Sequence, residues 1–147
     1  MPLTVRQLVD RVSEHLALQL PEWRASTYPS ELMPYDPRPV QHRAWALLAS
    51  SSTITPLDRQ RRSVGSHVAT LLTLSWSYRL RDDGVALDLA DAYDAEAELV
   101  ATLTSIDQDP DLSLQLIRMT RAVSNGDSGL ILVGGIEMTC YHRLPLQ

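Results

Sequence analysis

The stretch that decides the fold is Val68-Ala69-Thr70-Leu71-Leu72-Thr73-Leu74-Ser75-Trp76-Ser77-Tyr78-Arg79-Leu80-Arg81. In an extended chain successive side chains point to opposite sides, so Val68, Thr70, Leu72, Leu74, Trp76, Tyr78 and Leu80 share one face. The opposite face carries Ala69, Leu71, Thr73, Ser75, Ser77, Arg79 and Arg81. One side reads as core and the other as partly wet, the pattern of an antiparallel sheet covered on a single face.

Working outward, Asp82-Asp83-Gly84 breaks this strand, and a helix is expected from about Val85 to Ile106. Leu89, Ala92, Tyr93, Leu99, Val100, Leu103 and Ile106 form its apolar stripe, and its early Asp residues complement the positive end of the helix dipole. Asp107 to Asp111, with Pro110, ends it. Leu112 to Val123 reads as a second strand whose apolar phase switches between Leu112, Leu114, Leu116 and Ile117, Met119, which predicts a bulge or a twist. Asn125-Gly126-Asp127-Ser128-Gly129 is a hairpin turn signal leading into a partner strand, Leu130 to Arg143, where Gly134-Gly135 marks a bulge or a close contact. Leu144 to Gln147 is a tail.

Upstream, Ser50 to Ser66 is rich in Ser, Thr and Arg and is the longest expected loop; a loop of that length in a small domain usually has a function. Val40 to Ala49 reads as a strand, and Glu22 to Tyr28 as a short one. Between them Pro29, Pro34, Pro37 and Pro39 repeatedly fix φ and remove backbone donors. At the start, Thr4 and Gln7 have capping-box spacing, followed by Leu8, Val9, Val12, Leu16 and Leu20 at helical spacing up to Pro21. The expected architecture is a single α+β domain over residues 1–147. Its antiparallel sheet has about four strands, two main helices pack on one face, and long loops lie at the edges.

At 147 residues the chain is long enough for one ordinary core without disulfides or metal. Apolar runs such as Leu130 to Val133 fall far below the roughly 18 residues of a spanning helix, so no membrane role is expected. The first residues lack the features of a secretory signal and Cys140 stands alone, so folding in a reducing, intracellular site is expected. All the basic residues are Arg, and the net charge of -5 opposes a whole-domain footprint for nucleic acid. Acidic residues gather between Asp82 and Glu98, while Arg59, Arg61 and Arg62 cluster in the long loop. Such asymmetry fits either association between unlike faces or a solvated surface.

Gly126-Asp127-Ser128-Gly129 matches part of a serine-protease nucleophile segment, but Leu130 stands where a further Gly is needed. Neither His42 nor His67 has the sequence context of a triad base. The turn reading is preferred, and a small hydrolase using Ser128 is kept as a rival. Cys140 and His142 share a strand face and are able to hold half a zinc site, yet the other half has no counterpart in the sequence. Asp107, Asp109 and Asp111 alternate without the Gly and Glu of a calcium loop, and no glycine-rich phosphate loop is present. No catalytic residue, metal or cofactor is expected. Trp76 and Tyr78 belong to the core face. Tyr35, among prolines, is the better interface candidate, because an exposed aromatic on a rigid segment loses little entropy on binding. Arg59, Arg61 and Arg62 suit either a partner's carboxylates, a phosphate backbone or solvent. The face with Thr73, Ser75 and Ser77 is either a lumen or inter-subunit surface, or is covered by a helix of the same subunit.

The segment Asp58-Arg59-Gln60-Arg61-Arg62-Ser63-Val64-Gly65, the strand Leu72 to Arg81 and the Asp-rich helix after it together resemble the tail terminator (tail completion) proteins of long-tailed phages. So does the final hairpin, in which Arg118-Met119-Thr120-Arg121-Ala122-Val123-Ser124 turns into Gly135-Ile136-Glu137-Met138-Thr139-Cys140-Tyr141-His142-Arg143. The resemblance covers most of the chain through loose patterns of residue type, and the proline-dense segment from Pro29 to Pro39 departs from it. It implies a non-enzymatic structural subunit of a hexameric ring that caps the tail tube and joins it to head-completion (connector) proteins. DNA would pass through the lumen without specific binding. The expected place is the virion, at the head–tail junction, after assembly in the host cytoplasm. A different head-to-tail connector or a tail tube subunit is the neighbouring alternative.

Overall fold

The computed structural model describes residues 2–26, 42–54, 66–126 and 129–145. Two helices, α1 (Val5–Gln19) and α2 (Val85–Ser105), accompany strands β1 (Arg24–Ala25), β2 (Ala44–Ile54), β3 (Ser66–Leu80), β4 (Leu112–Gly126) and β5 (Gly129–Leu144). The strands form one sheet in the order β1-β2-β3-β5-β4, antiparallel throughout except for the parallel β1–β2 pair. The α+β expectation holds, with five strands where about four were expected; the shortest, the two-residue β1, falls inside the short strand read at Glu22 to Tyr28. Among the described residues no helix is long and apolar enough to cross a membrane.

Local chemistry explains where the elements begin and end. Thr4 accepts from the Gln7 backbone N–H while the Gln7 side chain accepts from the Thr4 N–H, so two donors at the start of α1 are satisfied reciprocally. Leu8, Val12 and Leu16 then bury one stripe of that helix. In β3 the residues Val68, Thr70, Leu72, Leu74, Trp76, Tyr78 and Leu80 are all buried, and both helices lie on this side of the sheet. Each such leucine withdrawn from water contributes about 2 kcal/mol. Trp76 lies against Gly134, where an added Cβ would come within 2.1 Å of the indole, so of the bulge or close contact expected at Gly134-Gly135 the structure has the close contact, an indole ring against a glycine.

One strand boundary and one burial assignment differ from expectation for physical reasons, while the irregularity in β4 agrees with it. β2 continues through Ser50–Ile54, which the composition had given to a loop; Ser51, Ser52, Thr53 and Ile54 pair with Leu71, Thr70, Ala69 and Val68, so the neighbouring strand holds residues whose own polarity suggests a loop. β4 bulges between Leu116 and Arg118, as the phase switch predicted. Tyr93, expected in the apolar stripe of α2, is half exposed with the Arg121 guanidinium over its ring.

Candidate functional site

Tyr35, Arg59, Arg61, Arg62 and Ser128, like the segment from Pro29 to Pro39, lie outside the described residues. Thr73, Ser75 and Ser77 stand on the side of the sheet away from α1 and α2, so no helix of the described chain covers them. Thr73 and Ser75 are half-buried, but Ser77 is fully buried beside its register partners Ala44 and Val133 and is removed from that surface.

The two faces of the slab differ in chemistry. On the side away from the helices, Thr73 and Ser75 continue across the register into Glu137 and Gly135, then Arg118 and Thr120, flanked by Thr139, Gln115 and Ser124. Its charged residues on β2 to β5 are Arg79, Arg118, Arg143 and Glu137, and Arg118 donates to Glu137 at 3.0 Å. The helical side holds most of the carboxylates, several of them bound. Asp88, buried on α2, accepts from the Arg81 backbone N–H at 2.7 Å and from its guanidinium at 2.9 and 3.0 Å. These hydrogen bonds from Arg81 hold the Asp88 carboxyl below its ordinary range. Glu96, also buried, receives Arg121 Nε at 2.8 and 2.9 Å. Arg11 on α1 reaches Asp111 at 2.8 Å and Asp109 at 3.1 Å, so the alternating aspartates tie the end of α2 to the first helix.

Among the described residues, His15, His42 and His142 each hydrogen-bond within the fold. His15 Nε2 lies 3.0 Å from the Thr102 carbonyl and 2.8 Å from Ser105 Oγ. A carbonyl only accepts, so Nε2 carries its proton toward Thr102, and Ser105 donates to the same oxygen at 2.7 Å. His142 is buried: its Nδ1–H donates to Leu3 O at 3.2 Å and its Nε2 accepts from Thr70 Oγ1 at 2.7 Å, while Thr70 accepts from Ser52 Oγ at 2.8 Å. Burial lowers the His142 pKa and holds the ring neutral. Cys140 shares its face, but both nitrogens of His142 are occupied, and burial pushes the thiol up to about 12. Among the described residues no group of His, Cys, Asp and Glu is placed to hold a metal. A cleft of about 560 Å³ is lined by His42, Tyr78, Arg79, Arg81, Asp88 and Asp91. There His42 Nδ1 accepts the Arg79 backbone N–H at 3.2 Å, and Asp88 is committed to Arg81.

The feature that sequence reading missed is at the two margins of the sheet. Ser50–Ile54 of β2 are exposed on both faces, and so is the run from Ile117 to Val123 of β4. The phase switch at Ile117 marked the second of these; the serine run disguised the first. Comparison with protein-family models gives no match, and comparison with curated proteins gives none either.

Proposed function

We propose that the chain is a structural, non-enzymatic subunit of a ring of the tail-terminator kind, six subunits in the reading taken from the resemblance, which caps a phage tail tube and joins it to head-completion proteins. The observation that carries this reading is the inequality of the two faces: one bears both helices and most of the acid, the other is a helix-free sheet surface of Thr73, Ser75, Thr120, Thr139 and Gln115. A ring wall needs one face for the outside and another for a channel, and a hydroxyl-rich sheet suits a channel through which a polymer slides.

The whole-chain charge of -5 does not describe that surface, because its carboxylate Glu137 is matched by Arg118 and leaves Arg79 and Arg143. These stand twelve residues apart in the β3 register, through the His67 pair of Arg143, or about 40 Å at ~3.3 Å per residue. Two cations so far apart release few counterions, so DNA passes without lasting attachment. Tyr35 and the Arg59, Arg61, Arg62 cluster keep the contact role given them by the sequence, toward a neighbouring subunit or the tube.

Electron microscopy of the purified protein, alone and with tail tubes, tests the reading. Rings, or tube ends closed by added density, are expected. Bare tube ends together with dispersed small particles would refute it.

A further inference from the structure

We infer that neighbouring copies join edge to edge, β4 of one pairing with β2 of the next, so that the sheets of successive copies form one closed antiparallel wall; the inference rests on the ring reading above. Three successive antiparallel pairings separate β2 from β4, so these two strands run in opposite directions. Rotation about an axis along the strands preserves direction. The β4 of one copy therefore meets the β2 of the next as an antiparallel neighbour, the same pairing that operates within the chain. An odd number of long strands would have produced a parallel seam.

Both margins are open among the described residues. β1 covers only the Ala44 and Trp45 end of β2, leaving Ala46 to Ile54 as an edge of about 30 Å at ~3.3 Å per residue. β4 is the last strand at the other side. Soluble proteins guard such edges with lysines, prolines or unmatched charges. From Ala46 to Ile54 there is no charge and no proline, and in β4 the cations Arg118 and Arg121 are already neutralised by Glu137 and Glu96. Two uncharged or internally balanced edges meet without stranding a charge. Each also shows apolar side chains to water: Leu48 (50%) and Ile54 (45%) on β2, and Ile117 (56%), Met119 (40%) and Val123 (51%) on β4. A second copy satisfies the unpaired backbone of both edges at once, and head-to-tail contacts that close leave none exposed. A two-fold dimer through β4 alone would leave β2 open.

Mixing two edge-blocked variants tests this by native mass spectrometry. Leu48→Lys with Thr53→Lys guards the β2 edge; Thr120→Lys with Ala122→Lys guards the β4 edge. All four positions are exposed, and circular dichroism with thermal melting confirms folding; if either pair unfolds the chain, Thr53→Lys and Ala122→Lys alone replace them. The wild type is expected as rings, each variant by itself as the 16.4 kDa monomer, and the two together as one-to-one dimers, since only one usable β4 and one usable β2 remain. Rings that persist in both variants would overturn the edge pairing while leaving the ring itself intact. Dimers of the β2-guarded variant alone would overturn it in favour of a β4–β4 contact. A wild type that stays monomeric with and without tail tubes would overturn the ring reading, and the edge pairing with it.

Discussion

β3 and β4 are equally long, 15 residues each, and belong to the same sheet, yet they behave differently. β3 keeps one alternation from Val68 to Leu80 and buries every residue of its helix side. β4 buries Leu112 and Leu114, changes phase at Ile117, and then shows both faces to water as far as Val123. β3 has a strand on each side and the hydrophobic core beneath it. β4 has one strand, and the part of it level with α2 is held by the Arg121–Glu96 ion pair in place of apolar packing. The lesson is that neighbours, rather than length or composition, decide what a strand buries; in the edge-pairing proposal a second copy supplies the neighbour that β4 lacks among the described residues.

The largest effect that sharpens this contrast is at the centre. Gly134→Ala drives a Cβ to 2.1 Å from the Trp76 ring, which is pinned in the core, and the expected loss is about 3 kcal/mol in chemical denaturation. At the neighbouring Gly135 an added Cβ meets only Thr120 Oγ1 at 3.1 Å, so Gly135→Ala is expected to cost less than about 1 kcal/mol. Equal losses at the two glycines would remove the distinction between the packed and open sides.

Next comes the ion pair. Arg121→Ala strands a buried Glu96, but the guanidinium is partly in water, so a loss of about 1–2 kcal/mol is expected rather than the 3–5 of a fully buried pair. Glu96→Gln made together with it should recover part of that loss. No recovery would mean that Arg121 acts mainly through its contact with Tyr93.

Two pH effects follow. Asp88 has a lowered folded pKa, so its contribution is fully present above the unfolded carboxyl pKa and is lost as pH falls through the folded value. Asp88→Asn should lower stability near neutrality and flatten the acid limb below about pH 4. His142 also has a lowered folded pKa, so the unfolded chain binds its proton first and stability falls as pH drops below about 6.5. His42 is lowered as well and adds a slope of the same sign. His142→Gln, which keeps one donor and one acceptor, should reduce but not abolish the slope in denaturation midpoints between pH 5 and about 6.5. An unchanged slope would place the titration elsewhere.

The smallest effect on folding is expected where the effect on assembly is largest. Val123→Ser and Ile117→Ser should each change folding stability by no more than about 0.5 kcal/mol, as exposed positions do. Both should weaken oligomers in sedimentation velocity. A large folding loss with normal oligomers would make β4 an ordinary core strand.

The central strand, the second helix, the hairpin, the bulge at Ile117 and the contact at Gly134 were legible because each depends on local periodicity or a local backbone demand. Ser50–Ile54 was not, since a run of Ser and Thr becomes a strand only when Val68–Leu71 lies beside it. Tyr93 was misjudged because helical spacing placed it in the stripe while Arg121, 28 positions away in sequence, drew it to the surface. The polar face of β3 was legible at Thr73 and Ser75 but not at Ser77, whose burial depends on its strand neighbours. The open margins needed the strand order, which no spacing in the chain encodes.

The most direct test of self-association into a ring is the native mass of the wild-type protein across a concentration series, alone and with tail tubes. The account predicts one dominant closed species at an integer multiple of 16.4 kDa, six in the reading taken from the resemblance, with no continuous ladder of larger forms. A single 16.4 kDa species at every concentration, with tubes that bind none of it, would contradict it.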